Sequence, residues 1–134
     1  MPETRVLGFD YGLKKIGVAV GQTLTDSATP LKIIPTVKRG QPDWSVVAEL
    51  IREWQPNALI VGIPYNMDGS EHDLTKAARK FERELVARFK LPVHEVDERL
   101  TTVEAQEGRG KAGRDEVDHH AAAVIVTDWL RRHG

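Results

Sequence analysis

The chain of 134 residues contains no cysteine. That absence removes disulfide scaffolds, thiolate zinc sites and cysteine nucleophiles together. It also lacks any apolar run long enough to span a bilayer, and its opening "MPETRVLG" has neither the basic start nor the apolar stretch of a signal peptide. Charge of one sign is missing as well: the formal net charge is -1, so no global field draws the chain to a polyanion or an anionic membrane. A GxxxxGK[ST] phosphate loop is absent, and the five histidines do not fall at the HExxH spacing of a zinc site. No internal repeat or low-complexity tract interrupts the chain. What is left is ordinary for a cytoplasmic globular protein, with 40% apolar and 29% charged residues and a length suited to one domain over 1–134.

Periodicity supplies a mixed α/β order. "RVLGF" and "KIGVAV" are β-branched runs joined through "DYGLK", a hairpin loop turned at Gly12. "LKIIPTV" predicts a third strand that Pro35 ends or confines to a sheet edge. "DWSVVAELIREWQ" places Val46, Val47, Leu50, Ile51 and Trp54 on one helical face, stopped by Pro56. "NALIVGI" is continuously apolar, as a strand covered on both faces must be. The loop "PYNMDGS" follows, with Ser70 as the expected cap of a long helix from Glu71 to Phe89. "LPVHEVDE" predicts a fifth strand and "TTVEAQE" a short helix. After the glycine-rich "EGRGKAGRDE" comes a final helix in "EVDHHAAAVIVTDWLRR". The expected architecture is a five-stranded mixed sheet, antiparallel at its start and parallel where helices intervene, with helices on both faces.

In such sheets ligands sit at the carboxyl ends of the strands. Asp10 ends the first apolar run, and Asp97–Glu98 end the fifth strand. Each acid alone could be a turn or cap residue. Asp118 carries more information. Ala121, Ala122, Ile125 and Trp129 follow it at i+3, i+4, i+7 and i+11, so it heads the face that packs on the sheet. An acid there is costly unless paired or metal-bound. Three converging carboxylates, Asp10, Glu98 and Asp118, repel one another unless a cation neutralises them. Oxygen donors without thiolate select magnesium or manganese. Pairs of such ions roughly 3.5–4 Å apart cut phosphate esters. Lys14 and Lys15 in the hairpin loop, Arg99, and Arg109, Lys111 and Arg114 in the late loop are the cations that would meet a phosphate backbone. His119 and His120 are adjacent, so at most one of them faces such a site.

Taken in order, "LGFDYGLKKIGVAVG", "ATPLKII", "LIVGIPYNMDGSE", "VDERLTT" and "VDHHAAAVIV" resemble the YqgF family, Holliday-junction-resolvase-like proteins also described as pre-16S rRNA nucleases. The resemblance spans about Arg5 to Leu130. It implies a ribonuclease H-like fold and a metal-dependent nuclease whose acids fall on Asp10, Glu98 and Asp118. Where resolvases of the superfamily commonly carry a fourth acid, this chain has Ala121. Processing of the 16S rRNA precursor therefore ranks above junction cleavage as the expected function. The alternatives are a resolvase acting on branched DNA as a two-fold homodimer, a catalytically silent nucleic-acid-binding factor, and an actin-like ATP-binding protein.

Overall fold

The computed structural model describes residues 4–65, 68–97 and 119–133. Strands β1 (Arg5–Asp10), β2 (Lys15–Gln22) and β3 (Ser27–Lys38) run antiparallel in sequence order, and the two-residue β4 (Gln41–Pro42) folds back on the end of β3. Helix α1 (Trp44–Trp54) leads into β5 (Ala58–Ile63), which pairs in parallel with β1. Helix α2 (Asp73–Phe89) leads into β6 (Val93–Asp97), which pairs in parallel with β5. The last described helix, α3, covers His119–His133. The sheet order is β4-β3-β2-β1-β5-β6, antiparallel on one side of β1 and parallel on the other.

The sheet therefore has six strands, not the expected five. Two residues cannot show a period, and Pro42 reads locally as a breaker, so β4 leaves no pattern in the sequence. Strand β3 is also longer than "LKIIPTV" suggested. It runs through both Pro30 and Pro35 because its outer side is a sheet edge until β4 pairs at Thr36. Thr36 N–H donates to Lys14 O (3.0 Å), so the neighbouring Pro35 nitrogen faces away from β2, where its missing N–H goes unnoticed. A bulge between Val18 and Ala19 leaves Leu31 without a partner on β2.

Side-chain alternation divides the core into two layers. Leu7, Phe9, Ile16, Val18, Leu59, Val61 and Ile63 face α1 and α2, meeting Val47, Leu50, Ala78, Phe81 and Leu85. Val6, Ala19, Ala58, Ile60 and Val96 face α3, meeting Ala122, Ile125, Val126, Trp129 and Leu130. All six residues of β5 are buried, as its unbroken apolar run requires. The inward stripe of α3 keeps Ala122, Ile125 and Trp129 from the expected set. It adds Val126 and Leu130 and leaves Ala121 half-buried.

The helix starts follow local chemistry. Asp43 caps α1, its Oδ1 accepting from Ser45 N at 3.0 Å, and Gln55 ends it in the left-handed region (φ 47) before Pro56. Helix α2 is capped at His72 rather than at Ser70. The Ser70 hydroxyl is drawn back to Asp68 Oδ1 (2.6 Å), while Thr75 Oγ1 accepts from His72 N (3.2 Å) and donates to Pro64 O. Thr75 is fully buried and ties the loop after β5 to the first turn of α2.

Candidate functional site: the carboxyl end of the central strands

Asp10 is the last residue of β1 and is only 6% exposed. Its register partners are Gly17 on β2 and Gly62 on β5. A carboxylate in the middle of a sheet thus has a residue without a side chain on each flank. Both glycines interrupt apolar runs, "KIGVAV" and "LIVGI". A glycine inside a strand marks a place where a ligand or a backbone comes close. That signal is present in the sequence itself.

Alternation along β1 puts Asp10 on the same face as Val6 and Gly8, the face covered by α3. A Cβ on Gly21 would overlap Val126 and come within 3.3 Å of Leu130. One on Gly8 would overlap Val126 and lie 3.7 Å from Ala122 O. Contacts thus step from Leu130 to Val126 to Ala122 as the sheet is followed toward Asp10, and the N-terminal end of α3 is directed to the Asp10 end of the sheet. Gly8 serves this helix approach. Asp118 and Glu98 lie outside the described residues, as do Arg99, Arg109, Lys111 and Arg114. Val96 stands opposite Gly62, in line with Asp10, and β6 ends one residue later at half-buried Asp97.

The loop after Asp10 is held firmly. Gly40 N–H donates to Leu13 O (2.8 Å), Tyr11 Oη–H donates to Gly40 O (2.8 Å), and Thr36 Oγ1 reaches both Leu13 O and Lys14 O (3.1 and 2.9 Å). Lys14 is exposed on this loop. Lys15 is half-buried, opens β2 opposite Pro35, and by alternation shares the face of Gly17 and therefore of Asp10. Among the described residues no three His, Asp or Glu side chains come together as a metal cluster.

A family model described as "RuvX: Holliday junction resolvase" matches residues 4–132. The chain belongs to the RuvX family. Relatives named "Putative pre-16S rRNA nuclease" include one from Coxiella burnetii (strain Dugway 5J108-111), 54% identical over 129 residues, with 93% of this chain and 91% of the relative covered. Another, from Legionella pneumophila (strain Philadelphia 1), is 51% identical over 138 residues, covering 98% and 99%. Among solved structures, T. thermophilus RuvC in complex with Holliday junction substrate superposes with a TM-score of 0.59 at 20% identity, covering 98% of this chain and 96% of that one. The yeast mitochondrial Holliday junction resolvase Ydc2 gives 0.53 at 12% identity, covering 96% and 78%. These two likenesses establish the RuvC-like, ribonuclease H-like fold of this RuvX member. Membership also removes the reason for an actin-like reading. No helix among the described residues is long and apolar enough to cross a membrane.

A second charged cluster of the RuvX chain lies on the α2 side of the same sheet end. Arg79 reaches Glu71 and Glu95, each at 3.5 Å, donates to Tyr65 Oη and stacks its guanidinium over the Tyr65 ring. It thereby links the loop after β5, the start of α2 and β6. Beside it, Glu82 is pushed up to about 7 by burial first, and then by its hydrogen bond to Glu95 and that group's charge. Arg79 and Arg83 pull the other way. The folded state keeps the Glu82 proton where an unfolded glutamate, at its ordinary 4.5, has lost it. The pair is therefore most favourable below that ordinary value, and its contribution is lost as pH rises to about 7. Glu82→Gln, which donates the same hydrogen bond without a titrating proton, is expected to raise the melting temperature relative to the parent at about pH 8 and much less at about pH 5. Equal shifts at both pH values would refute the shared proton. Elsewhere His94 lies against Trp129 (centroids 5.4 Å apart), and His120 is exposed on α3.

Proposed function

We propose that this chain is a divalent-metal-dependent endonuclease that cuts structured nucleic acid and processes the 16S rRNA precursor in the cytoplasm. The observation that carries this reading is a buried carboxylate, Asp10, ending the central strand of a RuvX-family chain. Relatives covered over nearly their whole length bear a pre-16S rRNA nuclease name, which supports the choice of substrate. Asp10, Glu98 and Asp118 are the proposed ligands of Mg2+ or Mn2+. Asp10 fits that role because it is an oxygen donor held at a strand end with glycine on both sides. The cation, when bound, neutralises charge on the scissile phosphate and acidifies the attacking water. The protein's own part is to hold Asp10 rigidly in the sheet between Gly17 and Gly62, and to attract the phosphodiester with Lys15 on the same face and Lys14 beside it. Arg99, Arg109, Lys111 and Arg114 are proposed as further backbone contacts.

A second reading, a Holliday junction resolvase, is favoured by the resolvase name of the family itself. One substrate panel separates the readings: linear RNA, a structured 16S precursor fragment, duplex DNA and a four-way junction, each with Mg2+ and with chelator. Metal-dependent cutting of the precursor is expected. Preferential symmetric cutting of the junction would establish the resolvase instead, and binding without cleavage of any member would leave a silent nucleic-acid-binding factor.

A further inference from the structure

Next to Asp10 the chain turns to the opposite face of the sheet. Tyr11 points toward α2 and packs on Phe81, with ring centroids 5.2 Å apart. Together they floor a groove of about 150 Å³ between the β3–β4 turn and α2, with Arg39 and Gly40 on one wall and Lys80 and Glu84 on the other. Sites for complete small molecules enclose roughly 300–1,000 Å³. This groove falls below that range and has room for a phosphate group rather than a whole nucleotide.

The charges at its mouth are unspent. Arg39 and Lys80 are exposed, and neither makes a hydrogen bond or an ion pair among the described residues. Arg79, next to Lys80 on α2, is by contrast held by Glu71, Glu95 and Tyr65. Arg39 is nonetheless not on a loose tip. Gly40 after it, at φ +80, is pinned through its N–H to Leu13 and through its carbonyl to Tyr11, and a Cβ there would come within 2.8 Å of Tyr11 Oη. The main chain that carries Arg39 is thus tied to the residues immediately following Asp10.

We propose that this groove is a second phosphate subsite, in which Arg39 and Lys80 hold a backbone phosphate of the nucleic-acid strand whose cleaved phosphate lies at Asp10. The proposal rests on the nuclease reading and adds a direction to it. The substrate strand crosses the carboxyl end of β1 from the α3 face to the α2 face, so phosphates on either side of β1 are engaged together. Glu84 is the one acid lining the groove among the described residues and opposes that binding.

The test measures binding of a structured RNA and of a four-way DNA junction in chelator, where nothing is cut, between about 50 and 200 mM salt. One neutralised phosphate corresponds to a slope of log K against log salt of about 0.7 on single strands and about 0.9 on duplex. The double variant Arg39→Gln/Lys80→Gln is expected to lose that much slope while its melting temperature stays at the parent's. Glu84→Gln is expected to bind more tightly, a sign that damage to the fold does not produce. Loss of slope on RNA alone assigns the groove to an RNA strand, and equal loss on both assigns it to backbone of either sugar. An unchanged slope in the double variant, or no gain with Glu84→Gln, overturns the proposal. Failure of the nuclease reading looks different: the parent then cuts nothing with Mg2+, whatever the salt slopes are.

Discussion

Asp10→Asn is expected to reduce metal-dependent cleavage by more than about 10²-fold while the protein remains folded and still binds its nucleic acid. The lower bound comes from comparison: losing a group that merely orients a metal ligand costs roughly 10–100-fold, so losing a proposed ligand costs more. The amide has the shape of the carboxylate and retains hydrogen-bonding atoms at a position that is 6% exposed, so no cavity opens. It removes one negative charge from the place where Glu98 and Asp118 are proposed to converge, and in chelator the substrate phosphate then meets less repulsion. Single-turnover cleavage in Mg2+, paired with binding in chelator, reads both effects. A variant that cuts as fast as the parent removes Asp10 from the reaction, and one that neither cuts nor binds points to a fold defect.

Asp10 was legible as the acid that ends an apolar strand, which is where β1 ends; alone it could have been a turn residue, and its expected company of Glu98 and Asp118 set it apart. Helices α1 and α2 were equally plain, since their apolar residues repeat at helical spacing and each packs one face on the sheet. β5 was readable for the opposite reason: covered on both sides, it shows no alternation at all. What escaped was decided by long-range pairing. β4 exists only because Thr36 and Lys38 offer an edge to Gln41 and Pro42. Pro35 marked an end or an edge position, and the edge holds. Which of the two applied depended on the sheet order, which decides whether a proline nitrogen faces a neighbouring strand or open solvent. Ser70 looked like a helix cap until Asp68 claimed its hydroxyl. Arg39 carries no signature of its own; only the turn at Gly40 brings it across from Lys80. The candidate site was read as three acids, and its described part is Asp10, its two glycine neighbours and the direction of α3.

That direction depends on Val126 more than on any polar group. One of its methyls lies where a Cβ of Gly8 would be and the other where a Cβ of Gly21 would be, so a single valine fills the hollows of two adjacent strands. Gly8→Ala and Gly21→Ala are each expected to destabilise the protein by about 1–3 kcal/mol, the usual cost of extra methyl groups in a filled core. Val126→Ala alone is expected to cost about 2 kcal/mol, from two buried methyl groups and the space they leave. Combining Gly8→Ala with Val126→Ala should cost less than the sum of the two, because the new Cβ occupies the space the valine has vacated. Denaturant midpoints of the four proteins close this cycle, and strict additivity would mean that α3 does not rest on Gly8 through Val126. Gly8→Ala should also reduce cleavage beyond its effect on stability. A methyl that lifts α3 moves the end of the helix that is directed toward Asp10. Displacement of a reacting group by about 1 Å is enough to cost about 10²-fold in rate. Recovery of both stability and cleavage in the Gly8→Ala/Val126→Ala protein would show that the same contact that closes the core also sets the spacing of the candidate site.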